Sequence, residues 1–427
     1  MAGFSKASVR EAEVGGRRVL VRVDFNVPLR PAAPGRGSEG VSISDAHPLA
    51  GAEEAAVNEV ADDMRIRAAL PTIELLRERG AALVLASHLD RPGGKFDPAL
   101  SMAPVAARLG ELLGIEVKLA PGVIEGDVDL TCGALGPGDV LLLENVRFEP
   151  GETENDPKLA ESLATLADLF VNDAFGAAHR AHASTEGVAH HLPGYAGLLL
   201  EREVTELSRV VESPERPLVV VLGGAKVSDK VGVIDRFLDL ADRILIGGAM
   251  AFSFFRAQGK PVGDSLHDDE SVKAAEAALA KAEGSKCELL LPVDLVLGRE
   301  FAADTERKES DGVEVPDGWM GLDIGPRSAE LYAEAVSEAG TVLWNGPMGA
   351  FEMEPFAGGT RAVAEAVAKA PGTTVVGGGD SVAALRKFGL DDQVDWLSTG
   401  GGASLELLEG KKLPGVEALI DRKDTDA

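Results

Sequence analysis

The sequence predicts an α/β protein: two doubly wound parallel-sheet, Rossmann-like domains joined by a hinge helix. Two observations carry this expectation. Short apolar runs bounded by glycine or polar residues alternate with longer stretches of helical period along the whole chain. The scheme is laid out twice, on either side of Leu192-Pro-Gly-Tyr195. Continuous apolar runs of this kind suit strands buried on both faces, as in parallel sheets covered by helices.

In the first half, residues 19–23, 82–86, 140–143 and 169–172 read as strands, and 66–79, 99–113 and 158–167 as helices. Residues 198–211 form a long charged amphipathic stretch ending in Ser213-Pro-Glu-Arg-Pro217, a candidate helix between domains. In the second half, 218–222, 244–246, 288–291, 342–344 and 374–376 read as strands, and 227–241, 271–282, 328–339 and 360–370 as helices. The expected domains are 1–195 and 196–404, with a tail from 405 to 427. Residues 29–61 interrupt the first half and are rich in Pro, Gly, Ala, Ser and Glu, which reads as an acidic surface insertion. It contains Gly35-Arg-Gly-Ser-Glu-Gly40, a formal G-x-G-x-x-G. Prolines precede the match and no clear helix follows it, so its context fails for dinucleotide binding.

Composition bounds the function. The chain has 427 residues, 45% of them hydrophobic, which is ample for large cores. Its two cysteines, Cys132 and Cys287, are far apart, which suits a reducing compartment rather than a disulfide scaffold. No apolar leader and no run near the roughly 20 residues of a membrane span is visible, so a soluble cytoplasmic protein is expected. The formal net charge of −28 argues against nucleic acid and anionic membranes as partners. It fits an acidic surface adapted to high salt, where self-repulsion is screened, although ordinary solubility would also explain it.

In doubly wound folds, ligands bind at the carboxyl ends of strands. The first-half strands are followed by Asp24-Phe-Asn-Val-Pro28, Ser87-His-Leu-Asp-Arg-Pro92, Glu144-Asn-Val-Arg-Phe148 and Asn172-Asp-Ala-Phe-Gly-Ala-Ala-His-Arg-Ala-His182. Arg65 opens the helical stretch at 66–79. These ends collect His88, Arg91, Arg147, His179, Arg180 and His182 in an otherwise acidic chain. Arginine suits bidentate recognition of phosphate or carboxylate. Any one of these residues alone would read as a structural ion pair or a satisfied histidine; their joint placement points to an anion site.

The second half offers glycine turns instead. Val221-Leu-Gly-Gly-Ala-Lys-Val-Ser-Asp-Lys230 is a strand, a glycine turn and a predicted helix whose Lys226 and Lys230, at i and i+4, would share one face. Free N–H groups at such a helix start bind anions. The G-x-x-x-x-G-K-[ST] pattern is absent, so this is not the common P-loop, and solvated lysines after a turn remain an alternative. Val375-Val-Gly-Gly-Gly-Asp-Ser381 places Asp380 as an oxygen ligand for Mg²⁺ or as a helix N-cap, with N–H groups at Ser381 for a phosphate. Trp344-Asn-Gly-Pro-Met-Gly-Ala-Phe-Glu352 offers Glu352 to a ribose hydroxyl, and Gly247-Gly-Ala-Met250 offers a flat wall for an adenine ring.

Together these segments resemble phosphoglycerate kinase. The matches are VDFNVP, RIRAALPTI, SHLDRP, LLENVRF, VNDAFGAAHRAH, LGGAKVSDK, GGAMAF, LPVD, WNGPMGAFE, GGGDS and STGGGASLELLEG, in family order from near residue 20 to near 410. The resemblance implies transfer of a phosphoryl group between 1,3-bisphosphoglycerate with ADP and 3-phosphoglycerate with ATP, using Mg²⁺. It implies a triose-substrate site of Asp24, Phe25, Asn26, Arg65, His88, Leu89, Asp90, Arg91, Arg147 and Arg180. Arg65 and Lys226 match catalytic residues that stabilise the transferring group. Lys226, Lys230, Gly247, Gly248, Leu322, Glu352, Gly377, Gly378, Gly379, Asp380 and Ser381 match the nucleotide site, with Asp380 toward the metal. It further implies a tail, roughly 405–427, that returns to the first domain. Half-sites on different domains predict hinge closure at 195–211 and 398–402, and a monomer is expected. Two departures stand out: Asp90 replaces a common glycine, placing a negative charge beside an anionic substrate, and Ser381 replaces a frequent threonine. The other classes weighed are a NAD-dependent dehydrogenase, whose fingerprint appears only in the discarded match, and a catalytically silent nucleotide-binding scaffold, against which Arg65, Lys226 and Asp380 argue.

Overall fold

The computed structural model describes residues 4–32, 41–43, 58–125 and 127–424. The glycine match at 35–40 lies outside these residues. The chain divides into two compact units, Met1–Thr205 with Lys412–Ala427, and Glu206–Lys411.

The first unit holds a seven-stranded sheet. Its order is Val41–Ile43, Val117–Leu119, Val140–Leu142, Ala82–Ala86, Arg18–Arg22, Leu169–Asn172 and Gly194–Ala196, every neighbouring pair parallel. After Arg18–Arg22 every strand of this sheet up to Val140–Leu142 is laid on one side of it and Leu169–Asn172 on the other, so the order switches sides at Arg18–Arg22. The predicted strands reappear within about a residue, because a parallel strand covered on both faces must be apolar throughout. Val19, Val21, Leu83, Leu85 and Val171 pack against Ile66, Ile73 and Leu76 of the helix Met64–Glu78 and Val105 and Leu109 of Ala103–Leu113.

Several three-residue strands were not expected from the sequence. Leu29–Pro31 pairs antiparallel with Asn58–Val60, and Val41–Ile43 joins the edge of the main sheet, so residues 29–61 are partly strand rather than uniform loop. Runs this short give no periodicity to detect. The end of the chain also belongs to this unit: Ala7 N donates to Ile420 O at 2.8 Å, Asn172 Nδ2 donates to Gly415 O at 2.9 Å, and Lys6 pairs with Asp421 at 2.9 Å.

The second unit repeats the plan with six parallel strands. Their order is Glu288–Leu290, Arg243–Ile246, Leu218–Leu222, Thr341–Asn345, Thr373–Gly377 and Trp396–Leu397. Val219, Val221, Val342 and Trp344 meet Tyr332 and Val336 of the helix Pro326–Ser337 and Val363 and Val367 of Gly358–Ala368. A three-stranded antiparallel sheet, Arg307–Glu309, Leu295–Gly298 and Met320–Ile324, adds to the parallel plan.

The helix Leu198–Glu212 contains the boundary between the units. Its start is capped from the first unit's core. Leu199 N and Leu200 N donate to Asp173 Oδ1 at 2.9 and 3.3 Å, and Leu198 N donates to Thr72 Oγ1 at 2.9 Å. Burial pushes the Asp173 carboxyl up to about 7 against these hydrogen bonds.

Candidate functional site

In the first unit, the segments after the strands converge as predicted. Asp24 follows Arg18–Arg22 and accepts from Arg65 Nη1, near the start of Met64–Glu78, at 2.9 Å. Burial would raise its carboxyl, but Arg65, with Arg22 beyond it, holds it below the usual range. Asn26 Oδ1 accepts from Asp90 N at 2.9 Å. Phe25 is buried, and its N–H donates to Ser87 Oγ at 2.9 Å. Asn145 ties two loops together: Nδ2 donates to Leu89 O at 2.7 Å, while Oδ1 accepts from Leu89 N and Arg147 N at 3.1 Å each.

Arg147 Nη1 donates to Asp90 O at 2.7 Å, and its buried Nε has no partner among the described residues. Burial lowers the Arg147 guanidinium, Arg22, Arg180 and Arg91 lower it further and Glu152 opposes them, which places four cations and one acid in one neighbourhood. Arg91 and Arg180 are exposed. Such crowding is costly unless an anion joins it. His182 is pushed down to about 4, first by burial and then by Arg147, Arg22 and Arg180, so it sits there as a neutral ring. Asp90 adopts φ 51° and is exposed, so its carboxylate faces solvent while its backbone holds the loop.

The structure also shows what the sequence reading overlooked. Arg22, taken as part of an apolar strand, is 1% exposed, and Glu152 and Ser184 beside it are equally buried. Ser184 Oγ donates to Glu152 Oε1 at 2.6 Å, Arg22 Nε donates to Ser184 Oγ at 2.8 Å, and Arg22 Nη2 reaches His88 Nδ1 at 3.1 Å. The available signal was a charge at a strand position whose neighbours are all apolar; such a charge needs buried partners.

The second unit departs locally from the reading. The helix expected from 227 starts later: Ser228–Lys230 is a 3-10 turn and the α-helix is Val231–Leu240. Lys226 and Lys230 therefore do not share one helical face. Lys226 is exposed. Lys230 is buried and donates to Gly223 O at 2.5 Å and Asn345 O at 2.8 Å, because two inward-turned carbonyls need a donor. Burial lowers its ammonium to about 8, with Asp380 and Asp229 pulling it back up.

Around this lysine the glycine turns meet at the ends of neighbouring strands. Gly248 N donates to Met348 O at 2.9 Å with φ 66°, and a Cβ there would lie 2.6 Å from Gly224 N, so only glycine fits without a shift. Gly247 N donates to Leu222 O at 2.8 Å. Leu322 is buried in Met320–Ile324, and its carbonyl accepts from Ala350 N at 2.8 Å. Glu352 is exposed, its carbonyl accepting from Lys387 Nζ at 3.0 Å.

Gly377 ends Thr373–Gly377, Gly378 with φ 88° is the N-cap, and Gly379–Phe388 is the helix that follows. Asp380 is thus in the first turn rather than at the N-cap, so the N-cap role does not hold. Among the described residues no side chain caps that turn, which leaves its N–H groups for a ligand. Ser381 Oγ is already used, accepting from Gly346 N at 2.6 Å. Asp380 is exposed and carries no hydrogen bond or ion pair among the described residues.

Against known proteins, the family model for phosphoglycerate kinase matches residues 53–411. The phosphoglycerate kinase of Chloroflexus aggregans is 50% identical over 423 residues, 98% of this chain and 100% of that protein. That of Pseudothermotoga lettingae is 48% identical over 421 residues, with the same two coverages. Among solved structures, the phosphoglycerate kinase of Coxiella burnetii superposes with a TM-score of 0.80 at 41% identity, covering 97% of this chain and 98% of that one. The enzyme of Pyrococcus horikoshii gives 0.79 at 31%, with the same coverages.

Proposed function

Because the chain belongs to the phosphoglycerate kinase family, we infer that its two residue sets serve one phosphotransferase. The enzyme transfers a phosphoryl group reversibly between 1,3-bisphosphoglycerate with ADP and 3-phosphoglycerate with ATP, a step of glycolysis and gluconeogenesis. The observation that carries the assignment of roles is the cationic cluster at the strand ends of the first unit, where Arg147 keeps a buried donor without a partner.

In this reading, Asp24, Asn26, His88, Arg91, Arg147 and Arg180 bind the triose phosphate, and Phe25, Leu89 and Asp90 shape its loops. Arg65 and Lys226 neutralise charge on the migrating phosphoryl oxygens. That is the principal demand of phosphoryl transfer, which asks for positioning and electrostatics rather than covalent chemistry. The acceptor in the ATP-consuming direction is a carboxylate, already ionised at neutral pH, so no general base is required. Gly377, Gly378, Gly379 and the N–H group of Ser381 hold nucleotide phosphates, Gly247, Gly248 and Leu322 the adenine, and Glu352 the ribose. Lys230 acts from beneath, fixing the carbonyls of Gly223 and Asn345 while contributing charge to the phosphates.

Mg²⁺ fits this site as a companion of the nucleotide. Among the described residues no group of three or more His, Cys, Asp or Glu side chains could cage a metal, while Asp380 offers one unengaged carboxylate beside a phosphate-type loop. One carboxylate completed by substrate phosphates and water is the usual arrangement for Mg²⁺. When bound, the ion would neutralise charge on the nucleotide phosphates; Asp380 would orient it.

Transfer requires both substrates on one phosphoryl group. We therefore propose closure driven by the two substrates together, flexing within 195–211 and 398–402. X-ray scattering that shows no compaction with 3-phosphoglycerate and a nucleotide analogue would remove this step. No helix of the described residues is long and apolar enough to cross a membrane. We read the protein as a cytoplasmic monomer, which size-exclusion chromatography checks for the oligomeric state. We read its charge of −28 as adaptation to salt; a melting temperature that fails to rise from low to molar KCl contradicts this. The direct test of function is a coupled assay with 3-phosphoglycerate and MgATP. Absence of 3-phosphoglycerate-dependent ADP formation would refute it.

A further inference from the structure

Behind the triose loops lies a closed chain of polar groups: Glu152, Ser184, Arg22 and His88, at 0, 1, 1 and 6% exposure. Its hydrogen-bond directions are determined by chemistry. A guanidinium has only donors, so Arg22 Nη2 donates to His88 Nδ1 at 3.1 Å, and that ring nitrogen must hold a lone pair. A neutral imidazole with a bare Nδ1 carries its proton on Nε2. Arg22 is itself held in place. Nε donates to Ser184 Oγ at 2.8 Å, Nη1 donates to Val23 O, and Ser184 Oγ and N bond both oxygens of Glu152 at 2.6 and 2.9 Å. Nε2 of His88 makes no hydrogen bond among the described residues.

We propose that Arg22 is a positioning residue that locks His88 as its Nε2–H tautomer, so that His88 meets the triose ligand only as a neutral hydrogen-bond donor. The proposal rests on the reading of His88 as a triose-site residue and deepens it. The charged groups around the ring support it. Burial is the largest influence, holding the imidazole well below its usual range. Asp24, beyond the end of Arg18–Arg22, opposes this, while Arg22 from that strand, Arg147 from Val146–Phe148 and Arg65 from Met64–Glu78 reinforce it. A second proton would have to enter at Nδ1, where the Arg22 cation stands. Arg22 thereby adds to burial in keeping the ring neutral, and fixes which nitrogen carries the proton.

The decisive measurement is the long-range ¹H–¹⁵N correlation spectrum of the full-length wild-type protein, without substrate, from about pH 5 to 8. His88, assigned by its loss in His88→Gln, is expected to show a bare Nδ1 and a protonated Nε2 throughout. A protonated Nδ1, or a second proton gained within that range, overturns the proposal. In kinetics, Arg22→Met is expected to raise KM for 3-phosphoglycerate about tenfold, the scale of one lost hydrogen bond, with kcat changed far less. The same spectrum should then show a proton on Nδ1 in part of the population, because nothing forces the bare nitrogen there, and Arg22→Lys should recover part of the loss. A folded Arg22→Met protein whose spectrum keeps the bare Nδ1 and whose KM is unchanged also overturns the proposal. Should Arg22→Met fail to fold, the wild-type spectrum still decides. The spectrum needs no turnover, so a wild-type protein without phosphotransferase activity would defeat the functional reading and leave the tautomer to be judged separately.

Discussion

The two units share a doubly wound plan, and in the proposed reading they present their ligand groups differently. The unit around Arg18–Arg22 uses long cationic side chains, Arg65, Arg91, Arg147 and Arg180, braced from behind by Arg22, Glu152 and Asn145. The unit around Leu218–Leu222 uses backbone: the turns at Gly223–Gly224, Gly247–Gly248 and Gly377–Gly379, with Lys230 buried beneath them. The first arrangement is sensitive to the loss of a charge, whereas the second is sensitive to the gain of a methyl group. A small compact anion rewards several converging cations. A nucleotide, with its flat base and chain of phosphates, rewards close approach to backbone N–H groups.

The largest expected effect tests whether both units contribute to one transition state. Arg65→Ala and Lys226→Ala, one from each unit, should each lower kcat by about 10²–10³-fold with a smaller change in KM. A variant that keeps kcat and changes only KM would confine that residue to ground-state binding and break the symmetry. Next comes the methyl test. Gly248→Ala should destabilise the second unit by more than about 2 kcal/mol, through its left-handed φ of 66° and the 2.6 Å approach to Gly224 N. The three tryptophans, Trp319, Trp344 and Trp396, all lie in this unit, so fluorescence-detected urea unfolding reports on it selectively. An unchanged midpoint would show that the turn is looser than the comparison requires.

Buried acids give a pH test with one group in each unit. Burial raises Asp173 to about 7 in the first unit and Asp323 to about 8 in the second. A folded-state pKa above the unfolded value of about 3.9 means the native state holds the proton longer. That stabilisation is complete below about pH 4 and is lost as pH rises through about 7 for Asp173 and about 8 for Asp323. Asp173→Asn and Asp323→Asn should each mimic the protonated form and gain about 1–2 kcal/mol at alkaline pH relative to acid pH. Urea unfolding at the two extremes measures this, and an identical pH dependence in variant and wild type would refute it. The smallest effect concerns Asp90. Asp90→Gly should relieve its φ of 51°, change stability by no more than about 1 kcal/mol, and leave KM for 3-phosphoglycerate nearly unaltered because the carboxylate faces solvent. A large drop in KM would place that charge against the substrate instead.

Much of this protein was readable in one dimension. The central strands, such as Ala82–Ala86 and Leu218–Leu222, were visible because burial on both faces forces an unbroken apolar run. The candidate ligand segments were chosen because doubly wound folds place such segments directly after those runs. Tertiary structure decided whatever depended on partners distant in sequence. The strands Leu29–Pro31 and Val41–Ile43 exist only through Asn58–Val60 and Val117–Leu119. Lys230 turned inward because carbonyls from Gly223 and Asn345 require a donor, and Arg22 became a buried brace because Ser184 and His88 receive its protons. Hydrophobic burial is written in local pattern, which a sequence displays. Hydrogen-bond satisfaction is a contract between residues far apart in the chain, which only the folded molecule discloses.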